Sequence, residues 1–224
     1  MQNKYKNILI IGLGLIVSFG LGIIFNDYFV GPLTLCFGFL SAYYMAAGKW
    51  QNYIFGILFS IIYSYDCCVN HLYGFAIFTA LVYTPLQIVG IVNWIKHKNN
   101  EEVTMQSLKW KKASLLCVGI ILVSLLISYL LSLIPTQELP LMDSFSQIIN
   151  ISAVVLVSLR FRESWYLFLL NSAMDFSIWI VKLCTNSIHI ELILITSVMY
   201  LIMNLIGLIK WIKIEKLQKQ SQIS

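Results

Sequence analysis

ALVYTPLQIVGIVNWIK (Ala80–Lys96) and SVMYLIMNLIGLIKWIK (Ser197–Lys213) are two copies of one pattern. Laid over each other without a gap, Tyr83 falls on Tyr200, Gly90 on Gly207, Trp94 on Trp211, Ile95 on Ile212 and Lys96 on Lys213. Gln87 is matched by Asn204, an amide for an amide. Within each copy the Tyr, amide, Gly and Trp stand at i, i+4, i+7 and i+11, which is one face of an α-helix. Two apolar helices with the same polar stripe and the same Trp and Lys at the end predict an internally duplicated membrane protein.

Composition agrees. With 59% hydrophobic and only 11% charged residues, the chain lies far from a soluble domain, where charge runs near a quarter of the residues. A mean hydropathy of +0.81 comes from long, nearly uncharged runs along the whole chain, so the predicted fold class is all-α and membrane-embedded. No soluble stretch is long enough to be a second domain. The formal net charge of +5 does not point to nucleic acid, because the basic residues sit at the ends of spans rather than on one face.

Eight spans are expected. Lys4 and Lys6 precede the run Ile8–Phe25, which has no small-residue cleavage site behind it and reads as a retained first helix rather than a signal peptide. After the Asn26-Asp27 turn, a second helix with Pro32 near its start runs to about Ala47, where Gly48-Lys49 break it. The third covers about Asn52 to Cys67, and the fourth Tyr73 to Ile95. Pro85 should kink the fourth, whereas its counterpart Ile202 should leave the eighth straight. A polar connection (residues 96–112, including Glu101, Glu102 and five lysines) leads to the fifth span, Ala113–Ile134. Beyond the Pro135–Pro140 turn come the sixth, seventh and eighth, near Leu141–Leu159, Ser164–Cys184 and Ile190–Ile212, then a Lys-rich tail. With the N-terminus inside, every Lys and Arg except Lys182 falls on the inner side, so both termini are expected in the cytoplasm of a multi-pass cell-membrane protein. Residues 30–95 and 135–213 form two parallel three-helix repeats. A linker segment (96–134) joins them, an N-terminal helix (1–29) precedes them and a tail (214–224) follows.

The candidate chemistry is polar rather than catalytic. Asp175 lies near the middle of the seventh span, where a carboxylate costs at least a few kcal/mol unless it is paired or faces a wet cavity. Asn171 stands one turn before it and Ser172 beside that. Gln87 and Asn204 either hold a polar ligand or glue helices together, and Gly90 and Gly207 read as close-packing positions. Trp165, Tyr166 and Phe168 form either an interfacial belt or a stacking platform for a flat ring. Asp143, Gln147 and Asn150 share a stripe on the sixth span, with Asp143 placed near the outer end as an exposed carboxylate. Cys36, Cys67, Cys68, Cys117 and Cys184 show no disulfide or metal spacing and read as packing residues, and His71, His97 and His189 are scattered. No phosphate-binding loop, Ser/His pair or metal constellation appears, so neither an enzyme nor a cofactor is expected.

Asn52-Tyr53-Ile54-Phe55-Gly56, then Gly90 with Trp94, then Asp143-Ser144, Arg160, Glu163 and Trp165, and Gly207 with Trp211 resemble, in order and spacing, the PnuC family of nicotinamide riboside transporters. The resemblance covers roughly residues 30 to 213. It implies a SWEET-like arrangement of two three-helix units joined by a linker helix, facilitated diffusion of a vitamin-type nucleoside, and trapping by cytoplasmic phosphorylation. Relatives in that family carry thiamine or riboflavin. Phe168 replaces the second Trp of the family's Trp-x-x-Trp, and Ser172 stands at its following polar position, for which Phe59 is the counterpart in the first unit. Asp175 is an addition suited to a cationic ring. On this resemblance the expected partners are a small molecule and the lipid bilayer, with self-association into a homo-oligomer left open. The substrate site is expected at Trp165, Phe168, Asn171, Ser172, Asp175, Gln87, Asn204, Tyr83, Tyr200 and Asn52. A non-transporting sensor or structural subunit is the alternative of another class, and a proton-coupled carrier using Asp175 a third.

Overall fold

The computed structural model describes residues 2–99, 102–103, 106–184 and 190–221. Glu101 of the polar connection and His189 lie outside the described residues. So do the side chains of Lys4, Lys6, Lys98, Lys216 and Lys219, on which part of the charge asymmetry rests.

The chain is almost wholly helical. The helices are α1 (Gln2–Ile24), α2 (Val30–Ala46), α3 (Asn52–Val69), α4 (Tyr73–Phe78) and α5 (Thr84–Lys96), then α6 (Trp110–Ser132), α7 (Pro140–Ser158), α8 (Ser164–Leu183) and α9 (Ile190–Ser221). A π-helical segment, Thr79–Tyr83, joins α4 to α5 into one span. The polar connection contains a short antiparallel pair, β1 (Lys98–Asn99) with β2 (Glu102–Val103), in which Lys98 opposes Val103. Among the described residues, α3, the α4–α5 span, α6, α7, α8 and α9 are long and apolar enough to cross a membrane. The segments Ile11–Ile24 and Val30–Ala46 are shorter apolar helices. The eight helical rods match the eight expected spans.

Tight reversals separate the rods. Asn26, Gly48, His71, Leu139 and Arg160 all have positive φ, each at a reversal between two helices. For a residue with a Cβ that conformation costs roughly 1–2 kcal/mol, so packing of the flanking helices holds it. At the first junction the Asp27 carboxylate accepts the Gly31 N–H at 2.9 Å, satisfying one of the open donors at the start of α2.

Packing closes the helices into a ring: α2 on α3, α3 on α4–α5, α4–α5 on α7, α7 on α8, α8 on α9, and α9 back on α2. Outside the ring, α1 leans on α2 and α6 leans on α7. Each three-helix unit therefore has the preceding helix in the same place, and the two copies of the opening motif lie at opposite seams.

Three expectations change. Helix α9 does not stop at the tail but continues to Ser221. Asp143 is not an exposed outer carboxylate: it is 0% exposed and accepts the Gly74 N–H at 3.0 Å and the Gln137 amide at 2.8 Å. Pro85, which lacks an N–H, is accommodated by the widened π turn immediately before it rather than by a simple kink. Its counterpart in α9 is regular helix, as the Ile at that position implies.

Candidate functional site, a polar cavity between the two repeats

The ring encloses a cavity of about 130 Å³, an order of magnitude more than one water needs. Two aromatic clusters lie at its ends. At one end the terminal Trp residues of the two repeats meet, Trp94 and Trp211 with ring centres 6.0 Å apart, and Tyr53 and Trp165 pack edge-on against them at 5.2 and 5.5 Å. At the other end Tyr63, Phe75 and Trp179 close together, and the Trp179 indole N–H donates to the Tyr63 hydroxyl at 3.1 Å.

The walls repeat. The Gln87 amide donates to Ser60 Oγ at 2.9 Å, and the Asn204 amide donates to Ser172 Oγ at 2.7 Å and to the Phe168 carbonyl at 3.2 Å. A Cβ on Gly90 would collide with the Tyr53 ring, and one on Gly207 with the Trp165 ring. The partner of the duplicated amide in the first unit is thus Ser60. Phe59, expected to stand opposite Ser172, instead matches Asn171.

The second unit adds a carboxylate. Asp175 Oδ2 accepts from the Asn171 amide at 2.9 Å, and its Oδ1 takes a short hydrogen bond from Ser146. Ser146 Oγ also lies 2.8 Å from Asn171 Oδ1. One hydroxyl proton therefore faces two acceptors, so the cluster is short of a donor. No Lys, Arg or His lines the cavity among the described residues, and no group of three His, Cys, Asp or Glu there could hold a metal.

Nine of the ten residues expected from sequence line this one cavity: Asn52, Tyr83, Gln87, Phe168, Asn171, Ser172, Asp175, Tyr200 and Asn204. Trp165 does not. It is 0% exposed, sits in the Trp94–Trp211 cluster and packs behind the cavity-lining Phe168, 6.0 Å away between ring centres. Its large ring fills the space that Gly207 leaves, so it supports the wall instead of forming it. Sequence reasoning missed Phe59, Ser60, Thr79 and Thr196, and it left Gln147 aside although Gln147 shares a stripe with Asn150, which also lines the cavity. The signal for Thr79 was present, since it falls on Thr196 one step before the duplicated stretch.

The family model described as nicotinamide mononucleotide transporter matches residues 28–213. The chain is 31% identical over 201 residues to a nicotinamide riboside transporter PnuC of Neisseria mucosa, covering 86% of this chain and 76% of that protein. It is 27% identical over 194 residues to a protein of the same name from Haemophilus influenzae, covering 85% and 82%. Among solved structures, a crystal structure of the vitamin B3 transporter PnuC superposes with a TM-score of 0.80 at 27% identity, over 92% of this chain and 90% of that one. With a match that spans the whole helix ring and its cavity, the chain belongs to the nicotinamide mononucleotide transporter family of membrane proteins, the family of PnuC.

Proposed function

We propose that this protein carries nicotinamide riboside across the cell membrane by facilitated diffusion, without altering it chemically. The two units would rock about the cavity so that one aromatic closure opens at a time. The observation that carries the reading is Asp175: a carboxylate on the cavity wall with two neutral donors and no cation among the described lining residues. A charge at that depth needs compensation, and the pyridinium ring of nicotinamide riboside supplies it. Phe168 and Phe59 offer flat apolar faces for the ring. Asn171, Ser172, Gln87 and Asn204 offer groups for the ribose hydroxyls, and Tyr83, Tyr200 and Asn52 shape the remaining wall.

The same lining bears on the riboside and the mononucleotide, which differ by a phosphate of about −1.5 to −2 charges at pH 7. That phosphate would meet Asp175 and no countercharge. Phosphorylation inside the cell would then turn the product into an anion the cavity rejects, which makes net flux one-directional. The inner side follows from the placement of Lys and Arg, with both termini in the cytoplasm.

Thiamine is the second reading, because its thiazolium is also a cation that Asp175 would balance. Thermal-shift titration of the purified protein with nicotinamide riboside, nicotinamide mononucleotide, thiamine and riboflavin decides, since a ligand of the folded state raises apparent stability. Stabilisation by nicotinamide riboside and not by the mononucleotide is expected. Stabilisation by thiamine alone would move the substrate, and uptake into protein-containing vesicles separates a carrier from a sensor that only binds.

A further inference from the structure

We propose that Gln147 on α7 reads the carboxamide of the substrate's ring and so sets the selectivity of the cavity for an amide over an acid. This rests on the nicotinamide riboside reading above. Gln147 lines the cavity and is 1% exposed, yet neither its Oε1 nor its Nε2 has a hydrogen-bond partner among the described residues. Three other amides of the cavity are engaged through their N–H groups: Gln87 with Ser60, Asn171 with Asp175, Asn204 with Ser172. An amide acting as helix glue would show such a partner. Gln147 shows none, and a buried polar group left unmade is costly.

A primary carboxamide is the complement of that free amide. It presents one carbonyl and one N–H pair, so the two groups close a cyclic pair of N–H···O bonds. The neighbouring residue on α7, Ser146, bonds Asp175. One helix therefore carries the carboxamide reader and also holds the carboxylate that balances the ring charge, and a pyridinium-3-carboxamide presents both features on one ring. Nicotinic acid riboside would offer two acceptors to the single N–H donor group, and its carboxylate would stand in the same cavity as that of Asp175.

The test measures affinity calorimetrically for full-length wild type and Gln147→Met, using nicotinamide riboside, 3-acetylpyridine riboside and nicotinic acid riboside, with apo melting recorded in parallel. Wild type is expected to bind the acetyl analogue about threefold more weakly and the acid about tenfold more weakly than the amide. Gln147→Met should lose about tenfold for the amide and most of the discrimination, while its apo melting temperature stays equal or rises, because an unmade buried amide is replaced by an apolar chain of similar length. Loss of affinity with unchanged or raised stability is a signature that a merely structural Gln would not give. Unchanged amide affinity or preserved discrimination in the variant overturns the proposal. Should the variant fail to fold, the wild-type ladder decides, and equal binding of the three ribosides overturns it. If wild type binds thiamine and none of the ribosides, the nicotinamide reading itself falls, a result distinct from a wild type that binds all three alike.

Discussion

Asp175 is where a single side chain sets the character of the cavity. Its two neutral donors, Asn171 and Ser146, orient the carboxylate without neutralising it. At an effective dielectric near 20, opposite charges about 4 Å apart attract by about 4 kcal/mol, part of which is lost in desolvating the ligand. Asp175→Asn should therefore weaken binding of nicotinamide riboside by about tenfold to a hundredfold, and leave the neutral dihydro form of the same riboside within about twofold. Calorimetry with both compounds checks this, and equal losses for the two would mean that Asp175 acts by shape. A second residue-scale prediction concerns packing. A methyl on Gly207 enters the Trp165 ring, which is fixed in turn by Trp211, so Gly207→Ala should cost about 1–3 kcal/mol of stability and lower the melting temperature in detergent. Both residues were visible in the sequence, Asp175 by its depth in an apolar run and Gly207 by its duplication. Trp165 was misjudged because its chain position suits both a wall and a support, and only the close approach at Gly207 decides between them.

At the scale of the element, the two copies of the opening stretch do not behave alike. The α9 copy is continuous helix, while the first copy is divided into α4, a π segment and α5, with Pro85 just beyond the widened turn. Thr79 and Tyr83, which border that segment, both line the cavity. A π turn next to a ligand site gives the helix a place where two backbone arrangements differ little in energy. Replacing Pro85 by Ala restores the N–H and lets the span relax toward regular helix. Ligand affinity should then stay within about threefold while exchange of labelled riboside across vesicle membranes slows several-fold. A variant with unchanged exchange would show that the π turn is only a packing feature. The sequence announces the proline; it does not announce how the backbone absorbs it, because a kink and a π turn both remove the offending hydrogen bond.

For the whole molecule, the six-helix ring carries one further helix beside each three-helix unit, α1 on α2 and α6 on α7. The aromatic closures at the two ends of the cavity are built differently. One joins the matched Trp94 and Trp211 of both repeats, while the other joins Tyr63, Phe75 and Trp179, which have no such match in sequence. An even number of crossings returns the chain to its starting side, and under the proposed orientation, which rests on the Lys and Arg placement, that side is the cytoplasm. Fusing a reporter that is active only in the cytoplasm to either end should give signal in both cases. Signal from one end alone would require an odd number of crossings.

The amino-acid order by itself determined that this is a duplicated, all-helical membrane protein, because apolar period, matched stripes and the placement of Lys and Arg are local properties written residue by residue. It also picked out nine residues that line the cavity, since a polar group in a long apolar helix has few reasons to be there. Three things were decided only by the tertiary structure: the pairing of Gln87 with Ser60, the burial of Asp143 under Gly74 and Gln137, and the isolation of Gln147. Each depends on which face of one helix meets which face of another, and that is set by the packing of side chains such as Tyr53 on Gly90 and Trp165 on Gly207 across distant parts of the chain.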